Sequence, residues 1–95
     1  MQTLKLGPNI DILVGAKAGE DERSRLDFDR IDESPEEVII EIETTAILSD
    51  FIRALVGPSV RKLGLAEFER KYHFDAAPAV RESIMENARA AADGF

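Results

Sequence analysis

Residues 38–64 constrain the fold more than any other part of the chain. They pass from an aliphatic run, VIIEIE, through TTAIL, into SDFIRALVGPSVRKLG. Val38, Ile39 and Ile40 are continuously apolar, so both faces need cover, as in a central strand. From Ile40 the pattern alternates, with Glu41 and Glu43 on one face and Ile40 and Ile42 on the other. Then Leu48, Phe51, Ile52, Leu55, Val56, Val60 and Leu63 follow the three-and-four spacing of one buried helical face. Ser49 or Leu48 falls at the helix start, and Gly64 suits its end. Pro58 predicts a kink, or a break at Gly57 with Pro58 opening a second short helix.

The flanking segments extend this α/β reading. Residues 3–6 alternate like a half-buried strand, Gly7-Pro8-Asn9 signals a turn, and residues 10–14 read as a second strand. The short connection predicts an antiparallel hairpin. Residues 15–19 read as a small-residue loop and residues 20–33 as a charged helix packing on Leu26, Phe28 and Ile31. Ser34-Pro35 ends that helix. Residues 65–70 add a helical turn, residues 71–74 a last strand, and residues 77–92 a helix with Val80, Ile84, Ala88 and Ala91 on one face. The expectation is a single domain over residues 1–95: a small mixed four-stranded sheet with flanking helices, in the order β-β-α-β-α-β-α.

Composition narrows the function classes. Of the 95 residues, 44% are hydrophobic and 33% charged, as in ordinary soluble domains. The net charge of −7 repels phosphate backbones, which argues against nucleic-acid binding. It remains compatible with a basic face on another protein. The absence of cysteine removes disulfides, thiolate catalysis and cysteine-held zinc. No run reaches transmembrane length, and MQTLKLGPN does not read as a signal peptide, so a cytoplasmic protein off the membrane is expected.

Catalysis has little to stand on. His73 is the one histidine, with no evident nucleophile beside it. The acidic run of residues 27–33 lacks the glycine of a calcium loop and reads as a solvated helix face. Gly15-Ala16-Lys17-Ala18-Gly19 lacks the spacing of a phosphate-binding loop. No metal and no cofactor are expected. Ser49-Asp50 is different in kind. Both residues suit helix N-capping, and both suit a phosphoacceptor or fixed charge facing a partner.

VIIEIE, ILSDFIRALVGPSVRKLG, LAEFERKYHF and APAVRESIMENARAA together resemble the bacterial STAS-like domain family, over roughly residues 19–92. That family is usually described as a domain of unknown function related to anti-sigma-factor antagonists. The resemblance implies a mixed sheet flanked by helices. It also implies binding of a histidine-kinase-like anti-sigma partner through the loop after the central strand, switched by phosphorylation of a serine at the following helix start. The corresponding region is residues 44–53. Relatives commonly carry two adjacent serines where this chain has Ser49-Asp50. Alignment through Gly57 puts Asp50 on the switching position, so a fixed charge replaces phosphorylation there. Glu43-Thr44-Thr45 stands where Ser-Gly is typical.

The sequence thus points to a non-enzymatic, STAS-like regulatory module. Glu41, Glu43, Thr44, Thr45, Ser49, Asp50 and Arg53 are its expected partner surface, with Ser49 the candidate phosphoacceptor. The alternatives are a small enzyme or nucleotide-binding subunit with a pocket near Gly15 and Gly19, and a structural oligomer subunit.

Overall fold

Val38–Ile42 is the central strand of the larger sheet. In this computed structural model residues 1–7 and 12–94 are described. The elements are β1 (Gln2–Leu6), β2 (Ile12–Leu13), α1 (Ala16–Arg25), α2 (Phe28–Glu33), β3 (Val38–Ile42), β4 (Ala46–Ile47), α3 (Ser49–Leu63), α4 (Leu65–Lys71), β5 (Tyr72–Asp75) and α5 (Pro78–Ala92). The strand order is β1-β3-β5, all parallel, and β2 and β4 form a separate parallel pair. No helix among the described residues is long and apolar enough to cross a membrane.

This corrects the expected hairpin and the single mixed four-stranded sheet. Leu6 pairs with Ile42 and Leu13 with Ile47, so β1 and β2 each take a parallel partner far along the chain. Parallel pairing needs a crossover, and α1 with α2 supplies it between β1 and β3, as α3 with α4 does between β3 and β5. Pro8, Asn9 and Ile10 of the expected turn and strand lie outside the described residues.

Crossovers of one hand, stepping in one direction across a sheet, stack their helices on one face. The burial pattern agrees. Leu6, Val38, Ile40, Ile42, Tyr72 and Phe74 are buried against the helices. Thr3, Lys5, His73 and Asp75 are exposed on the opposite face, where Ile39 and Glu41 are half-buried. β3 is therefore central, as its aliphatic run predicts, but only one of its faces is fully covered.

The expected loop at residues 15–19 is helical from Ala16, and Gly19 is buried inside α1. A Cβ built on Gly19 would lie 2.5 Å from the Phe51 carbonyl oxygen and 2.9 Å from the Ala54 Cβ. Glycine is thus what lets α1 approach the α3 backbone. The expected helix over residues 20–33 breaks at Asp27, whose φ of 60° places it in the left-handed region. The turn lets Leu26, Phe28 and Ile31 all reach the core.

α3 runs without a break from Ser49 through Pro58 to Leu63, so no second helix opens at Pro58. Gly57 has no Cβ to meet the proline ring, which relieves the usual restriction on the preceding residue.

Candidate functional site

The short β2–β4 pair separates buried from exposed residues by the two-residue period of strands. Leu13 and Ile47 pair in register and are buried. Ile12 pairs with Ala46, and the Leu48 N–H donates to the Leu13 carbonyl at 2.9 Å, carrying the pairing one step further. Ile12, Val14, Ala46 and Leu48 therefore share the outer face. Ile12, Val14 and Leu48 are 55%, 50% and 47% exposed, and with Met1 they are the exposed large apolar side chains among the described residues. An apolar cluster of this kind, rimmed by polar groups, is the composition of an interaction surface.

Leu48 also occupies the N-cap of α3, in extended conformation, with no side-chain hydrogen bond to the helix. Leucine is among the poorest N-cap residues, because it cannot accept from the free N–H groups. Its periodicity places it on the buried stripe of the helix, but extended backbone at the cap turns it outward.

The first turns of α3 bring Ser49, Asp50 and Arg53 together, all exposed. Ser49 is not the cap. Its Oγ accepts from Asn87 Nδ2 at 3.5 Å, and Asn87 Oδ1 accepts from Arg53 Nε at 3.2 Å. Asn87 was not among the expected site residues. Its spacing from Ile84 and Ala91 puts it on the buried stripe of α5, which is the signal that could have found it. Asp50 Oδ1 accepts from the Gly15 N–H at 3.1 Å and from the Phe51 N–H at 2.8 Å. Its charge thus holds the segment entering α1 against the start of α3.

The remaining expected surface residues divide. Glu43 and Thr45 are exposed between β3 and β4, whereas Glu41 lies within β3, in register with Lys5 and Asp75. Thr44 is buried, which corrects its assignment to the surface. Its Oγ1 has no hydrogen-bond partner among the described residues. A buried hydroxyl in that state costs about 1–3 kcal/mol and calls for an explanation.

A second polar cluster lies inside the protein, and the acidic run supplies it. Asp32, expected on a solvated face, has a fully buried side chain. Its Oδ1 accepts from the Tyr72 hydroxyl at 2.5 Å, and its Oδ2 from Ser59 Oγ at 2.8 Å and Arg23 Nη2 at 3.1 Å. Arg23 Nη1 also donates to Ser59 Oγ at 2.7 Å, and Nη2 to Asp29 Oδ1 at 2.8 Å. The cluster ties α1, α2, α3 and β5 together. Lys71, expected at the start of a strand, ends α4 and is buried, with Nζ donating to the carbonyls of Ile31 and Ser34. A cation there suits the C-terminal end of α2.

Burial, and then the hydrogen bond to Asp32, push the Tyr72 hydroxyl well above its ordinary 10.0. The fold binds this proton more tightly than the unfolded chain does. The stabilisation is complete below pH 10 and is lost as pH rises above it, by about 1.4 kcal/mol per pH unit. Tyr72 is the chain's one tyrosine, so tyrosinate absorbance reports it alone. In an alkaline titration, that absorbance should appear together with the loss of helical circular dichroism. Ionisation near pH 10 with the helices intact would contradict the buried position.

Fold and site together define a small parallel α/β protein with an exposed apolar strand face beside a helix N-terminus. No protein-family model matches the chain, and neither does any curated protein or solved structure.

Proposed function

We propose that this chain is a non-enzymatic, STAS-like regulatory module that docks a protein partner on the outer face of β2 and β4 and the first turn of α3. The observation that carries the reading is the apolar set Ile12, Val14 and Leu48, exposed next to Ser49, Asp50 and Arg53. The position agrees with the loop-and-helix surface that the family resemblance implies. Thr44 Oγ1 adds a buried hydroxyl with no described partner in the same connection. Glu43 and Asp50 on the rim, in a chain of net charge −7, favour a basic partner face, and a histidine-kinase-like ATPase is the class the resemblance suggests. Asp50 supplies a standing charge at the switching position, and Ser49 is the phosphoacceptor if the partner is released by modification. A cytoplasmic setting belongs to the same reading. The small-enzyme alternative would draw on the segment from Gly15 to Gly19, of which Gly19 packs against α3 and Gly15 has open space beside it.

A photo-crosslinking residue placed at Leu48 in native cells tests this, with the same residue at exposed Glu86 of α5 as control. The expected result is a discrete adduct with a second protein from position 48 and none from position 86. Equal labelling from both positions would contradict the proposal. An adduct of this chain with itself would establish the oligomer-subunit alternative instead.

A further inference from the structure

We propose that the outer edge of β5 is a second recognition site, which takes an extended peptide carrying a carboxylate and an apolar side chain by strand addition. Among the described residues β5 pairs only with β3, so the main-chain groups along its other edge have no strand partner. A cavity of about 340 Å³ adjoins that strand, lined by Glu69, Tyr72, His73, Phe74, Arg81 and Met85. Successive strand side chains point to opposite faces. A cavity touching Tyr72, His73 and Phe74 in turn therefore runs along the strand edge. Glu69 of α4 and Arg81 and Met85, one turn apart on α5, complete the lining.

This is the geometry in which an added strand gains main-chain hydrogen bonds while alternate side chains enter a groove. The lining selects the occupant. Arg81 is exposed, and its guanidinium has no carboxylate partner among the described residues, although the chain carries net charge −7. Phe74 and Met85 offer apolar contact. Glu69 in the same lining repels an acid, so the carboxylate of the peptide belongs at Arg81. His73 also lines the groove, and its Nε2 lies 2.8 Å from Glu37 Oε1 on the β3 side of the strand. Four strand residues span about 13 Å, so a short segment with modest affinity is expected.

The test pans the full chain against a random library of peptides of about seven residues, enough to cover β5 with a margin at each end. Enriched peptides are then synthesised and titrated. They should share one acidic and one apolar residue. Arg81→Glu, at an exposed position, should weaken them at least about tenfold without changing the melting temperature. N-methylation of alternate main-chain positions should abolish binding while methylation of the intervening positions leaves it, because strand pairing uses every second N–H on one side. Leu48→Asn should leave this affinity unchanged. Failure to enrich any sequence, indifference to Arg81→Glu or to the methylation pattern, or loss of binding with Leu48→Asn would overturn the proposal.

Discussion

Asp32→Ala is expected to lower the unfolding free energy by about 3–5 kcal/mol, because it leaves the buried Arg23 guanidinium without its internal counter-charge. The Tyr72 and Ser59 hydroxyls lose an acceptor at the same time. A domain of this size has a total stability on the order of 5–14 kcal/mol, so the variant should be marginally folded. The melting temperature should fall by about 15–30 °C. Asp29 also touches Arg23, but its side chain is 85% exposed, so it replaces little of what is lost. Asp29→Ala should therefore cost under about 1 kcal/mol. The double change Arg23→Met, Asp32→Leu should recover much of the loss, since a packed apolar pair avoids the desolvation of two charges. A loss for Asp32→Ala no larger than for Asp29→Ala would show that the cluster does not fasten the interior.

Gly19→Ala carries a prediction of opposite sign to helix propensity. In an exposed helix interior, alanine stabilises relative to glycine by about 0.5–1 kcal/mol. Here the added Cβ would lie 2.5 Å from the Phe51 carbonyl oxygen, which is backbone and cannot swing aside. α1 and α3 must separate, so a net destabilisation of about 1–3 kcal/mol is expected, and more for Gly19→Val. Denaturant unfolding measures the sign directly. An increase in stability would mean that the two helices do not meet at this glycine.

Much of the architecture is readable from local pattern. The β3 strand, the buried stripe of α3 from Phe51 onward and the helix opened by Pro78 follow from apolar spacing and proline position. Pairing partners are not local. Gly7 and Pro8 suggest a turn, but nothing near them reveals that Leu6 meets Ile42 and Leu13 meets Ile47. β4 spans only Ala46 and Ile47, too short for periodicity to register. Asp32 looks like one acid in a charged run, because its burial depends on Arg23, Ser59 and Tyr72 arriving from distant elements.

The site was partly legible for the same reason. Ser49 and Asp50 mark a helix start by their chemistry, and the structure puts both on its first turn. The apolar residues beside them were hidden, because a leucine that continues a helical stripe looks buried. Its place at the cap, where leucine is disfavoured, was the available clue. Thr44 misled in the opposite direction, since a polar residue in a connection suggests exposure while this one is buried.

The proposed docking surface is tested most directly by the affinity of Leu48→Asn for whatever protein cross-links at position 48, measured by calorimetry beside the unaltered chain. Asparagine removes one of the exposed apolar side chains and supplies a favoured N-cap without adding charge. The melting temperature should hold or rise, while binding weakens by about 2 kcal/mol, or roughly thirtyfold in Kd. Unchanged affinity at an unchanged or higher melting temperature would contradict the assignment of this face as the partner surface.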